Sequence, residues 1–492
     1  MKRANLIKKS GKTIGQNLPS TSLKIKEKVM KHSFLYLLAI TTLLFVVGCG
    51  KVTSQQAIIK INPTQKFQKM SGWEATAQSG EHSSKAFDNY SQELFDKAVN
   101  DLGINRLRLE IRSGFENPTD YFTHWQSGQI SDSEFYAKRH EIINDNDNPF
   151  VINPKGFQFS QIDLTIEKVV LPMKKLLTQR GESLFVNLNY VDFPKGRGES
   201  NIRHNNNPEE YAEFMLATYQ HIQNKYGFVP DAVEVILEPD NKTGWSGEDI
   251  GKAIVATAKR LRANNFKPAF IIPSTTNASK APIYIDQIAN VPGAMEYVKE
   301  FSYHRYKGAS EDVLNNIAER AVKYNKQTAM LEWIGADYKT LHEDLKIGRN
   351  SAWQQYTLAF PIVRDNGAQY FLINDKNPEK PVITMGSRTK FLRQYFRYIR
   401  SGAQRIGAET TNSSFDPLAF INADGRYVLV VKADVPGTVA VQGLPPGVYG
   451  ISYTTAEQTD VKIPDISLKK DNALNAAIPS AGVVTIYAKT SL

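Results

Sequence analysis

The chain has 492 residues, 41% of them hydrophobic, which is enough for full globular cores. This length exceeds one ordinary domain and fits a barrel with a smaller companion domain. The net charge is +10, but residues 1–31 alone hold eight Lys and one Arg against one Glu. Because the rest of the chain is nearly neutral, its charge argues against a nucleic-acid partner.

Residues 1–49 have the layout of an N-terminal extension followed by a lipoprotein signal peptide. An apolar run at 34–47 lacks Asp, Glu, Lys and Arg, and it is too short for a comfortable membrane span. The following tetrapeptide VVGC resembles a bacterial lipobox and ends at Cys49, the only cysteine of the chain. We predict an exported bacterial lipoprotein with its membrane anchor at Cys49, at the outer membrane or cell surface rather than the inner membrane. A chance cysteine after an ordinary signal peptide is the alternative.

The central part of the chain, residues 69–400, alternates between strand-like and helix-like segments. This alternation predicts a parallel sheet with crossover helices, and eight such units predict an α/β fold with a (β/α)8 TIM barrel. The residues before it, 50–68, form a tether and a strand-like stretch that we expect to join a second sheet. The eight predicted barrel strands lie near 69–74, 104–111, 183–189, 232–238, 268–273, 300–305, 328–333 and 368–374.

The C-terminal part, residues 401–492, consists of short alternating runs separated by Gly and Pro turns. This pattern predicts an antiparallel β-sandwich as a side domain. Two long segments, 112–158 and 190–207, follow the second and third predicted strands, where barrel enzymes build their active sites. The first is rich in aromatic residues, which suit either a sugar-binding surface or a small core beneath a loop.

Two glutamates end predicted barrel strands. Glu238 follows the strand-like run VEVIL and precedes Pro239, which stops the strand, while Glu332 follows the run AML. By count these strands are the fourth and the seventh, whose ends face each other across a barrel mouth. Cleavage of a glycosidic bond requires two carboxyl groups that flank the bond. The pair therefore favours glycosidase chemistry, although either residue alone fits a solvated strand edge.

The pattern of a Glu-Pro pair on strand four and a Glu on strand seven resembles clan A of the retaining glycoside hydrolases. Further segments resemble glycoside hydrolase family 30 in particular, whose members carry a barrel and a side β-sandwich. The order of these segments is the specific part of the resemblance. The segments are Gly72-Trp73, the YHRY sequence at 303–306, residues 391–406, and the DGRYV sequence at 424–428.

The resemblance implies roles for individual residues. Glu238 matches the acid/base and Glu332 the nucleophile. Arg108 is the best match to an arginine that holds the nucleophile carboxylate, and Arg106, on the same face of its strand, is the fallback. The resemblance further places two strand-six residues, His304 and Tyr306, in the lining of the site; a buried core role is the alternative for His304.

Other candidates are less determined. Clan A enzymes usually carry Asn before the acid/base to bind the sugar 2-hydroxyl, but this chain has Leu237. Asn187 or Asn189 on the third predicted strand is the expected replacement. Three tryptophans fit either the walls of a sugar site or a core; they are Trp73, Trp245 and Trp333.

These observations predict a retaining O-glycosyl hydrolase that cleaves a β-linked oligo- or polysaccharide. The histidines show no metal-binding spacing, and no phosphate-binding loop is present, so we expect no cofactor and no metal. Leu237 favours the first rival, a non-catalytic glycan-binding lipoprotein on the same barrel. A transglycosylase with the same residues is the second rival.

Overall fold

In the computed structural model the described residues are 55–489, so the predicted signal peptide and Cys49 lie outside them. Within that range no helix is both long and apolar enough to cross a membrane. The chain begins with strand β1 (Gln55–Lys69), which belongs to a side sheet, and then enters a parallel barrel.

Eight parallel strands close the barrel, as the sequence predicts. Closure is seen in the pairing, because the first strand of the ring contacts the second and the eighth, and the eighth also contacts the seventh. The strands are β2 (Gly72–Thr76), β3 (Arg106–Arg112), β4 (Phe185–Val191), β5 (Ala232–Glu234), β6 (Ala269–Asn277), β7 (Val298–Lys307), β8 (Gln327–Glu332) and β9 (Asn350–Phe360).

The eighth barrel strand is β9, and the prediction of 368–374 for that place is wrong. Residues Gln369–Asn374 form β10, which pairs with β9 outside the ring and with β11 (Val382–Met385) on its other edge. Strand β9 is difficult to predict from the sequence because it is buried along almost its whole length yet carries polar residues such as Gln354 and Gln355. Such a strand shows no simple apolar pattern.

Helices cover the outside of the barrel, and their ends follow local sequence signals. Pro208 starts one long helix and Gly227, with φ of 71°, ends it. Ser246 and Asp249 form a capping box at the start of the next. The helices are α1 (Phe87–Asp96), α2 (Tyr121–Gln126), α3 (Asp132–Lys138), α4 (Ser160–Thr165), α5 (Leu171–Gln179), α6 (Pro208–Tyr226), α7 (Gly247–Ala263), α8 (Ala281–Ala289), α9 (Ala294–Tyr297), α10 (Glu311–Tyr324), α11 (Tyr338–Lys346) and α12 (Thr389–Phe396).

The side sheet has nine strands and is mostly antiparallel, with β1 as an internal strand. Its buried apolar face forms a core of its own. Gln394 of α12 joins this sheet to the barrel, since its amide donates to Ser452 and Thr454 at 3.0 Å. The C-terminal strands are β12 (Gln404–Thr410), β13 (Phe415–Ile421), β14 (Tyr427–Ala433), β15 (Gly437–Gln442), β16 (Gly447–Thr455), β17 (Val461–Leu468), β18 (Leu474–Ile478) and β19 (Gly482–Ala488).

Candidate active site

Glu332 is the last residue of β8 and Glu238 lies four residues after β5, both inside the mouth of the barrel. The backbone of Glu238 adopts the left-handed region of φ/ψ space, with φ of 52°. Its backbone amide donates to the Ser274 carbonyl oxygen at 3.1 Å. Such backbone conformations are costly for a residue with a side chain and concentrate at functional sites. Both side chains are nearly enclosed, with 5% of Glu238 and 1% of Glu332 exposed.

A β-bulge aims Glu332 into the barrel. Along the pairing of β7 with β8, Tyr303 faces Met330 but His304 faces Glu332, so Leu331 is the extra residue on β8. Leu331 packs in a small apolar cluster with residues of other barrel strands. Without the bulge, adjacent side chains would point to opposite faces. The bulge therefore lets Glu332 turn to the same interior as Leu331.

The two carboxylates are close together. One carboxylate oxygen of Glu238, one of Glu332 and a ring nitrogen of His304 all lie within 4.8 Å of one another. Carboxyl groups are about 5–5.5 Å apart in retaining glycosidases and about 6.5–9.5 Å apart in inverting ones. The nearest oxygens of Glu238 and Glu332 thus lie no further apart than the shorter of these two separations.

Glu332 is held by a cation and a phenol. Nη2 of Arg108 lies 2.5 Å from its Oε2, and the hydroxyl of Tyr306 donates to its Oε1 at 2.8 Å. The guanidinium also donates to Thr76 and to the Leu331 carbonyl oxygen, at 3.1–3.2 Å. The predicted contact of Arg108 with the nucleophile candidate is therefore present.

Both partners of Glu332 keep their protons. Burial lowers the pKa of Arg108, but the carboxylates of Glu332 and Glu234 outweigh it and raise the pKa above its usual value. Burial, followed by the charge of Glu332, raises the pKa of the Tyr306 phenol. The site thus presents one fixed positive charge and one hydroxyl donor to Glu332.

Glu238 has different surroundings. Nδ1 of His304 lies 3.2 Å from its Oε1, and the Asn241 amide donates to its Oε2 at 3.0 Å. His304 is fully buried, and its Nε2 has no hydrogen-bond partner among residues 55–489. In these contacts Glu238 meets an imidazole and an amide, whereas Glu332 meets a guanidinium and a phenol.

The same three side chains, Glu238, His304 and Glu332, have donor atoms spaced closely enough to hold a metal ion. However, the guanidinium of Arg108 already occupies Oε2 of Glu332. A second cation would be repelled by this buried charge, so the geometry suits glycosidase chemistry better than a metal centre.

Arg106, the fallback residue, lies one layer deeper in the barrel. Its guanidinium bonds Glu74 at 2.7 Å and both oxygens of Glu300 at 3.0 Å. These side chains are all buried and form an ion-pair layer beneath the site. Arg106 is thus committed to this layer, and the fallback assignment is wrong.

The two asparagines of β4, Asn187 and Asn189, differ in whether their side-chain amides are hydrogen-bonded within the protein. Asn187 donates to Glu234 at 2.9 Å and belongs to the deeper layer. Asn189 is two residues nearer the carboxyl end on the same face of the strand. It is fully buried, and neither amide atom has a hydrogen-bond partner among the residues that the structure describes. Asn189 is therefore the candidate that remains for a substrate hydroxyl.

Two of the three tryptophans belong to the core, so their assignment to the sugar site is wrong. Trp73 stacks on Phe396 at a centroid distance of 4.3 Å, and its Nε1 donates to the Ile399 carbonyl oxygen. Trp245 is buried against aromatic rings on the outer side of β4. Trp333 follows Glu332 directly and is half-buried, which leaves it as the one candidate wall of the three.

Two residues of the site were missed from the sequence. Thr76 ends β2 and receives two hydrogen bonds from Arg108, but a threonine at a strand end carries no distinctive signal. Asn241 lies three residues after Glu238 in the turn EPDN, and this proximity was the available clue.

Comparison with known proteins gives similarity in fold only. No protein-family model and no curated protein matches the chain. A family 30 endoxylanase from Clostridium papyrosolvens has a TM-score of 0.60 at 17% identity, covering 88% of this chain and 100% of its own. The catalytic domain of a family 30 xylanase C from Talaromyces cellulolyticus has a TM-score of 0.63 at 13% identity, covering 89% and 100%.

A third solved structure, an endo-β1,6-glucanase, has a TM-score of 0.61 at 16% identity and covers 88% of this chain and 95% of its own. These structures share the barrel and the side sheet over nearly their whole length. The chain therefore has the two-domain fold of the family 30 glycoside hydrolases, as the motifs of its sequence predict.

Proposed function

We propose that the protein is a retaining glycoside hydrolase that cleaves a β-linked glycan by double displacement. The observation that carries this proposal is the closeness of Glu238 and Glu332, whose carboxylate oxygens lie within 4.8 Å at the barrel mouth. Their unequal surroundings supply two roles. The cation on Glu332 suits a carboxylate nucleophile, and the imidazole and amide on Glu238 suit a group that gives and takes a proton.

In the first step Glu238 donates its proton to the glycosidic oxygen while a carboxylate oxygen of Glu332 attacks the anomeric carbon. The bond to the leaving alcohol breaks and a glycosyl ester forms on Glu332. In the second step Glu238 takes a proton from water, whose oxygen attacks the same carbon and releases Glu332. Two inversions give net retention, and Glu238 regains its proton.

The surrounding residues position these two groups. Arg108 and Tyr306 fix the two oxygens of Glu332, and His304 contacts Glu238. Asn189 is proposed to bind the hydroxyl that the clan normally reads with Asn at the position of Leu237. Trp333 is proposed to contact the apolar face of a sugar ring.

A covalent trap tests the mechanism. The full chain, purified in detergent, is incubated with a panel of activated 2-fluoro-glycosides and digested for mass spectrometry. We expect a sugar adduct on the peptide that contains Glu332, and no adduct in Glu332→Gln. Glu409→Gln is the matched control, because Glu409 is exposed on the side sheet.

The two rival functions have distinct outcomes. Glycan binding without any adduct or turnover would support the non-catalytic reading that Leu237 favours. An adduct that is passed to a second sugar rather than to water would support transglycosylation. Normal hydrolysis in both Glu238→Gln and Glu332→Gln would refute the assignment of the pair.

We further propose that Cys49 carries a lipid anchor. The lipobox-like sequence supports this proposal, and a solved structure of similar fold (TM-score 0.63, 13% identity, covering 88% of this chain and all of its own) is named a conserved exported protein from Bacteroides fragilis. In a bacterial host we expect incorporation of an alkyne-tagged fatty acid and recovery in the membrane fraction. Cys49→Ser should lose both, and retained labelling would contradict the anchor.

A further inference from the structure

A second group of carboxylates lies outside the catalytic pair, where the long segment after β3 meets helix α6. One carboxylate oxygen each of Glu116, Asp145 and Glu210 lie within 4.8 Å of one another. Glu213, one turn further along α6, is a fourth carboxyl group, is buried, and neighbours Glu210. We call these four residues the loop carboxylate cluster.

The cluster contains oxygens that are buried but unsatisfied. Glu116 is 1% exposed, and its Oε2 is held by Nε2 of His204 at 2.8 Å. Its Oε1 has no hydrogen-bond partner within residues 55–489, and the same is true of Oδ1 of Asp145 and Oε2 of Glu210. Buried polar atoms without partners are rare in native proteins, because each one costs free energy. These three oxygens therefore point to a missing positive partner.

Neighbouring polar groups strengthen this conclusion. Oδ1 of Asn144 and Oε2 of Glu213 are also buried without a hydrogen-bond partner in the described part of the chain. The other oxygen of Glu213 accepts a hydrogen bond from Arg260 at 3.4 Å.

We infer that Glu116, Asp145 and Glu210 bind a divalent cation of the calcium type. All donors are oxygens, which suit hard cations rather than zinc or copper. Calcium accepts six to eight oxygen ligands in irregular geometry, whereas magnesium requires a near-ideal octahedron and keeps several waters. Several carboxylates and an adjacent amide oxygen, contributed by separate segments, fit calcium better.

A cation here would act as a structural clamp. Glu116 stands at the start of the segment 112–158 and Asp145 on its returning part, where Ile143 donates to the Glu116 carbonyl oxygen at 2.9 Å. Glu210 belongs to the first turn of α6, which follows β4. The cation would thus tie a long loop at the carboxyl end of the barrel to a helix of the frame. This inference does not depend on the proposed glycosidase activity.

Metal content and thermal unfolding test the inference. The full chain is stripped with EDTA in detergent, equilibrated with CaCl2 and analysed by elemental mass spectrometry. We expect about one calcium per chain and a rise in Tm of at least about 3 °C over the stripped protein. Cleavage by a protease within 112–158 should slow when calcium is present, and MgCl2 at equal concentration should act more weakly.

Adjacent glutamates on α6 supply a matched pair of variants. Glu210→Gln should weaken calcium binding at least about tenfold, while Glu209→Gln, which removes the same charge from an exposed position, should bind as the wild type does. Asp145→Asn serves as a second variant if Glu210→Gln does not fold. Equal losses in Glu209→Gln and Glu210→Gln, or a Tm unaffected by calcium in the wild type, would overturn the inference.

Discussion

Nη2 of Arg108 and Oε2 of Glu332 are 2.5 Å apart in a fully enclosed part of the barrel. This contact fixes one carboxylate oxygen of Glu332, and the Tyr306 hydroxyl holds the other at 2.8 Å. The proposed mechanism depends on this arrangement, because attack requires an ionised carboxylate with a defined orientation.

Glu332→Gln keeps the shape of the side chain but removes the attacking charge. We expect kcat/KM on any confirmed glycan substrate to fall by at least about 10³-fold, as for other nucleophile deletions. Circular dichroism should show an unchanged fold. A loss of less than tenfold would contradict the role of Glu332.

Glu238→Ala removes the proton donor but leaves the nucleophile. Hydrolysis of the natural glycan should fall by about 10²- to 10⁴-fold, whereas dinitrophenyl glycosides, whose leaving group needs no proton, should still form the glycosyl ester. Added azide should then restore turnover and give a glycosyl azide of retained configuration, measured by NMR. Equal losses on both substrate types would argue against an acid/base role.

Tyr306→Phe deletes the hydrogen bond to Oε1 of Glu332. A hydrogen bond to a charged group is worth about 1.5–3 kcal/mol, so kcat should fall roughly 10- to 100-fold with little change in Tm. Tyr226→Phe is the control, because that hydroxyl also bonds carboxylates but lies on the outer surface with α6. Equal activity in the two variants would remove Tyr306 from the site.

Arg106→Met tests the ion-pair layer beneath the site. The change leaves Glu74 and Glu300 buried without their cation, and we expect a loss of about 3–5 kcal/mol in the free energy of unfolding, measured with urea. Adding Glu74→Gln and Glu300→Gln should recover a large part of this loss, because no unpaired charge then remains. A triple variant no more stable than Arg106→Met would contradict this account.

His140 gives the protein a specific sensitivity to acid. Burial, followed by the charges of Arg112 and Arg139, holds the pKa of His140 well below its ordinary value. The folded protein therefore keeps this ring neutral, while the unfolded chain binds a proton below about pH 6.5. The neutral ring of His140 therefore contributes fully to stability above about pH 6.5. This contribution is lost as the pH falls towards the pKa of His140 in the folded protein.

His140→Gln should therefore flatten the fall in stability between pH 6.5 and 5. The difference in slope should approach about 1.4 kcal/mol per pH unit, measured from urea unfolding at several pH values. Parallel curves for the wild type and the variant would show that His140 is not the group responsible.

The site was more predictable than the strand that completes the barrel. Glu238 and Glu332 each follow a short apolar run that is typical of a buried strand. Parallel strands place their carboxyl ends at one edge of the sheet, so these local patterns predicted that two residues far apart in sequence lie close together. Strand β9 was missed because Gln354 donates to Thr76 inside the barrel, and a buried polar interior removes the apolar periodicity that marks strands.

Tryptophan and arginine show where sequence reasoning fails. An indole packs equally well on a sugar or on Phe396, so Trp73 carried no information about which neighbour it would meet. Arg106 and Arg108 share one face of β3, and only their depth in the barrel decides between an ion-pair layer and the site. Depth depends on register across several strands, which a single sequence does not reveal.

Strand β1 has a consequence for the order of folding. Ile59 pairs with Thr410 on one side and with Val441 on the other, so the first described strand lies between two strands that are synthesised late. The side sheet cannot reach its final arrangement until residues 404–488 are available, and contacts so distant in sequence form slowly. A chain that crosses a membrane from its N-terminus would therefore complete this sheet only after nearly all of it has emerged.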